Sequence, residues 1–208
     1  MIARSRLSGV SRKLLLSVAA LGAAAAIAGL GTYATFTSST SASQPVASGT
    51  VTIGLGATGA ATNRLNVGAT NIAAGDTIQR SVDLINQGSL NLSTVTLTTS
   101  ATTSSLLDTD TTNGLQMQID KCSTAWTEGG TAPAYTYTCS GTTSSVLASA
   151  PVIGSNMALA NLSALTAGAT DHLRVTLTLP SAAGNALQNQ SSVISYQFTG
   201  TQRAATSQ

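Results

Sequence analysis

Few side chains in this sequence are suited to chemistry: one histidine, His172, two cysteines, Cys122 and Cys139, and seven carboxylates. Zinc chemistry of the HExxH kind needs two imidazoles on one helical face, so a single histidine rules it out. There is no GxSxG elbow and no CxxC pair. Asp171 adjoins His172, which invites a Ser-His-Asp reading. Adjacent residues of a strand point to opposite faces, however, so these two cannot be triad neighbours of one another. His172 is expected as a surface or satisfied edge residue, and no catalytic residue, metal ligand or cofactor is expected. The stretch LDTDTTNG places Asp108 and Asp110 in a faint echo of a calcium loop. Asn113 stands where that loop needs glycine and Ile119 where it needs glutamate, which favours a solvated turn. The NxS sequons at Asn91, Asn161 and Asn189 are the chance product of a Ser-rich chain.

Cys122 and Cys139 bracket CSTAWTEGGTAPAYTYTC. In an exported chain the default for such a pair is a disulfide, whose loop closure is worth ~3 kcal/mol. A metal pair would require further thiols or imidazoles. Trp126, inside the bracket, forms with Tyr135 and Tyr137 the only aromatic cluster. It reads either as a ligand platform or as packing of the loop onto a sheet, and the second is expected.

The elements that position these residues begin after an apolar leader. Arg4, Arg6, Arg12 and Lys13 precede LLLSVAALGAAAAIAGLGTYA, 21 residues without a charge. That length permits a membrane helix, which needs about 20 apolar residues. The run is Ala/Gly-rich, ends in small residues, and meets no further positive charge before Arg64, which favours a cleaved signal peptide over residues 1–34, cut between Ala34 and Thr35. An uncleaved anchor is the alternative, and it is the only membrane contact expected. Loss of the four leader charges from the total of nine leaves five Lys/Arg against seven Asp/Glu, net −2. No basic cluster remains to neutralise phosphates, so nucleic acid is not an expected partner.

Low charge with abundant Thr and Val suits pleated sheet rather than disorder. Residues 35–49 read as a flexible arm, 50–203 as one β domain and 204–208 as a tail. Period-2 alternation recurs at Val51/Ile53/Leu55, at Ile78/Val82/Leu84, at Leu115/Met117/Ile119, at Tyr135/Tyr137/Cys139, at Leu173/Val175/Leu177/Leu179 and at Ile194/Tyr196/Phe198. Arg80 interrupts an apolar phase and suggests a strand near an edge. A phase slip between Leu92 and Val95 predicts a bulge or bend, and NQGS (86–89) a turn using positive φ. Short helical turns are expected within 155–165 and 181–190. The fold class is all-β, an antiparallel sandwich of jelly-roll or immunoglobulin type.

GTYATFTSS after the leader, then ASGTVTIGL and AAGDTIQRSVDLINQGSLNLSTVTL, resemble the TasA/camelysin family of exported bacterial proteins. The match covers the leader and the first third of the chain. It falls on Ala34 with Tyr33 and Phe36 beside it, on Gly49 to Leu55, and on Gly75, Asp76, Arg80, Asn86, Gly88 and Ser89. The resemblance implies processing by a SipW-like signal peptidase and a jelly-roll subunit that polymerises with itself in the biofilm matrix or on the cell surface, with or without other matrix proteins. It also implies donor-strand exchange, in which the mature N-terminal arm adds a strand to a neighbour. The family's peptidase label is not carried over, because no zinc motif is present. A camelysin-type metalloendopeptidase and a monomeric surface binding module using the Trp126 loop are the alternatives. No LPxTG-like signal is present, so wall attachment by that route is not expected.

Overall fold

The computed structural model describes residues 48–206. The leader, the Ala34–Thr35 cleavage position and nearly all of the arm lie outside the described residues.

Ten strands form: β1 (Ile53–Leu55), β2 (Thr77–Asn86), β3 (Leu92–Thr103), β4 (Gln116–Cys122), β5 (Thr127–Thr131), β6 (Ala134–Thr138), β7 (Thr143–Pro151), β8 (Gly154–Ala158), β9 (Thr170–Thr178) and β10 (Val193–Gln202). Four antiparallel pairs are nested: β2 with β9, β3 with β8, β4 with β7, and β5 with β6. They are the rungs of one long folded hairpin. Rolling that hairpin brings β4 to the other side of β9, in register from Gln116↔Thr178 to Cys122↔His172. The result is the jelly-roll wrap of an all-β antiparallel sandwich. β1 adds outside β2 and β10 outside β3, giving sheets β1-β2-β9-β4-β7 and β10-β3-β8, with β5-β6 as a separate hairpin.

The alternation read from the sequence selects the core. Val82, Leu84, Val95, Leu97, Met117, Ile119, Leu173 and Val175 are all at most 1% exposed and belong to one cluster. Burying each such side chain is worth about 1.5–3 kcal/mol, enough to impose strand register. The expected bulge is present: Thr201 pairs with Thr94 and Gln202 with Leu92, leaving Ser93 unpaired, and its Oγ bonds the carbonyls of Thr201 and Gln202.

Three local expectations need correction. Residues 155–158 are strand β8 and 159–165 are turns, because the inner edge of β8 is taken up by β3. A 3₁₀ turn does form at Asn185–Leu187. The turn at 86–89 forms without positive φ at Asn86 or Gly88. Glycine is needed at 88 because a Cβ there would collide with the Thr50 carbonyl oxygen. Finally, the LDTDTTNG stretch contains a short helix, α1 (Leu106–Thr109), whose Ser105/Asp108 capping box was hidden by the calcium-like spacing.

Candidate functional site

Even-numbered residues of β4 point away from the core, and Cys122 ends that phase. Its disulfide to Cys139, Cα atoms 5.7 Å apart, draws the β5–β6 hairpin over the outer face of the larger sheet. Gly130 permits the hairpin's turn at φ 74°. Under it lies a polar layer. Trp126 stacks on the Arg174 guanidinium, 4.5 Å from ring centroid to Cζ, and its Nε1–H donates to the His172 carbonyl at 2.8 Å. Arg174 also donates to Asp120 at 3.0 Å. Tyr137 is buried, and its hydroxyl donates to Glu128, which pairs with Arg64 at 2.6 Å. The bond from Arg64 holds the Glu128 carboxyl below its ordinary value, against the opposing effect of burial. Tyr135 sits under both Arg64 and Arg80. The aromatic residues therefore pack the loop onto the sheet, and they split into two groups, Trp126 with Arg174 and the two tyrosines with Arg64.

Asp171 and His172 diverge as strand geometry requires. Asp171 is buried, accepts from the Ala164 N–H at 2.7 Å and pairs with Lys121 at 3.1 Å. His172 lies on the outer face, sharing a 2.8 Å hydrogen bond between Nδ1 and Asp83 Oδ1. Sequence spacing gives no hint of that partner, which is 89 residues away and reached only through the β2–β9 register. Asp108 in α1 and Asp110 at its C-cap are both taken up locally, by backbone N–H groups and neighbouring side chains. Burial opposes ionisation of Asp108, but bonds from Ser192, the Ser105 N–H and Ser104 outweigh it and hold the carboxyl below its ordinary value. Asp110 is likewise lowered, by the N–H groups of Asn113 and Thr112.

Among the described residues no three His, Cys, Asp or Glu side chains converge as a metal site would require. The lone imidazole is taken by one carboxylate, so the residues present do not fit a catalytic zinc. No peptidase step is derived for this chain.

Arg80 is 5% exposed and faces no carboxylate. Its three nitrogens donate to the carbonyls of Val67, Gln79 and Gly68, and burial lowers its pKa from the ordinary value. β2 is the strand next to the edge. Beyond the short β1 its flank is covered by residues 57–67, through Arg64 N–H to the Ser81 carbonyl and Asp83 N–H to the Thr62 carbonyl. The other residues of the family-like signature also serve the backbone. Gly75 takes φ 94° and bonds the Leu179 carbonyl, and Asp76 caps the Ala73 N–H. Asn86 and Ser89 clasp the entering chain: Asn86 bonds Gly88 N–H and the Leu90 carbonyl, while Ser89 exchanges bonds with Thr50. Residues 50–52 are thus fixed to the domain.

Among the described residues, the four edges of the two sandwich sheets differ. β1 has three residues. β7 is shielded by Ala160 N–H on the Val146 carbonyl and by Asn161 on the Ser145 carbonyl, and it ends in Pro151. β8 has five residues with Asn156 at φ 52°. β10 has ten, pairs with β3 without interruption from Ile194 to Thr201, and is the last strand of its sheet. Its inward residues Ile194, Tyr196 and Phe198 are half-buried and pack on the core. Tyr196 lines a groove of about 230 Å³ with Leu55, Thr58, Asn63, Leu65 and Asn66, and burial pushes its hydroxyl up to about 12.

The family described as Camelysin metallo-endopeptidase matches residues 9–207. No curated protein matches the chain.

Proposed function

The chain belongs to the camelysin family, and from that premise we propose that it is a secreted structural protein of the cell surface or biofilm matrix, polymerising by exchange of its N-terminal arm. The observation that carries this reading is a vacancy in the wrap. The roll that sets β9 beside β4 would by the same step set β8 beside β5. Instead the disulfide holds β5–β6 over the other sheet, and among the described residues β8 is left as a terminal strand of a three-stranded sheet opposite a five-stranded one.

A strand from outside fits that vacancy. It would satisfy the free backbone groups of β8 and cover Ile153, which is 36% exposed beside it. Residues 35–47, released by cleavage after Ala34, supply it: extended at about 3.4 Å per residue they span roughly 45 Å. A head-to-tail contact of this kind does not close on itself and grows a filament. The disulfide agrees with an oxidising, extracellular setting. A signal peptidase of the SipW type is the processing partner this reading requires.

Electron microscopy of the exported protein, with and without residues 35–47, tests the proposal. Fibres are expected only from the protein that keeps the arm. Identical fibres from the truncated protein would remove arm exchange as the mechanism. The structural reading also expects pure protein to leave casein intact. Chelator-sensitive cleavage that disappears in His172→Ala would restore the peptidase reading.

A further inference from the structure

Proteins blunt long sheet edges with charge, proline, bulges or covering loops, because a bare edge pairs with any matching edge. β1, β7 and β8 are short, covered or kinked, as described above. β10 carries none of these devices: VISYQFTGTQ contains no charge and no proline, and its ladder with β3 is regular from Ile194 to Thr201. Its nearest charge is Arg203, beyond the strand's end.

We propose that β10 pairs with β10 of a second copy, antiparallel about a two-fold axis at Gln197, joining two three-stranded sheets into one of six. The sequence is self-complementary in that register. Side chains on the core side would place Tyr196 opposite Phe198 of the other copy, and the reverse, so that half-buried rings on each flank meet as cross-strand aromatic pairs. On the solvent side Gln197 meets its own copy and Ser195 meets Thr199, hydroxyl to hydroxyl. Ile194 falls opposite Gly200, beside which Ile53 and Leu92 already pack, so the apolar face continues across the pair. An isologous contact of this kind closes after two copies. It therefore adds lateral pairing to whatever the arm does and does not depend on arm exchange.

Cysteine crosslinking on the exported full-length protein tests the register. The chain's two native cysteines are joined to each other, so an introduced cysteine is the only free thiol. Gln197→Cys is expected to give a covalent dimer on mild oxidation or with a short bis-maleimide. Thr201→Cys alone is expected to stay monomeric, and a mixture of Thr201→Cys with Val193→Cys to crosslink. Separately, Gln197→Lys and Gln197→Glu should each lose the lateral pair, and an equal mixture should regain it. A free thiol at 197 under both reagents, or Thr201→Cys joining to itself as readily as Gln197→Cys, overturns the proposal. Loss of fibres on deleting residues 35–47 with the 197–197 link retained separates the two contacts. Fibres without that link refute the β10 pair and leave arm exchange standing.

Discussion

Arg80 shows how a charge is carried within a strand next to a sheet edge: the guanidinium is buried because three carbonyls of the 67–68 loop and of β2 itself accept its hydrogen bonds. Arg80→Ala would leave those carbonyls without partners in the interior, at about 3 kcal/mol or more. A lowered urea midpoint with unchanged slope would be the readout. Asp108 yields a prediction with a definite sign. Its folded-state pKa lies below the ordinary carboxylate value near ~4, so the native state binds fewer protons there than the unfolded chain. The stability this contributes is complete above the unfolded value and is lost as pH falls through the folded one, and Glu128 behaves in the same direction. Thermal melts should therefore weaken below about pH 4, and Asp108→Asn should flatten that decline while lowering the melting temperature at neutral pH. His172 could be placed on the outer face from strand parity alone. Its partner Asp83 could not, since only the register of two distant strands brings them together.

At the level of elements, local pattern was read well where alternation was strong and poorly where a neighbour decided the outcome. β2, β4, β9 and β10 follow their apolar phases. β8 does not: GSNMA has no strand pattern, and becomes a strand because β3 offers it a ladder. β5, TEGGT, is held by β6 and by the disulfide rather than by any preference of its own. Removing that link with Cys122→Ala and Cys139→Ala is expected to cost ~3 kcal/mol in chain entropy. It should also loosen the hairpin first, giving early proteolytic cuts within 123–138 while the sandwich persists. Trp126→Ala removes the stack on Arg174 and the bond to the His172 carbonyl. For a half-buried tryptophan about 2 kcal/mol is expected, less than the full core value. Equilibrium unfolding with retained far-ultraviolet dichroism would check it.

On the scale of the whole molecule, the property that matters for assembly is which edges remain bare. Among the described residues a wrapped hairpin with its last pair diverted leaves the smaller sheet two unpaired edges: β8, short and kinked at Asn156, where the pair would have gone, and β10, long and regular, on the other side. Two edges of one sheet allow growth in two senses, a filament through the arm and a lateral pair through β10. Deleting the arm should abolish the first and spare the second, which paired microscopy and crosslinking would reveal. The sequence by itself determined the all-β class, the phases of the main strands and the bulge at Ser93, because each depends on residues a few positions apart, and the candidate disulfide, because the chain has only two cysteines. Only the tertiary structure decided which strands are neighbours, where the disulfide carries its hairpin, how Arg80 and His172 are satisfied, and which edges stay open. Those outcomes rest on pairings across more than 100 residues, as between Leu92 and Gln202, and the alternation that makes a strand says nothing about which other strand will lie beside it.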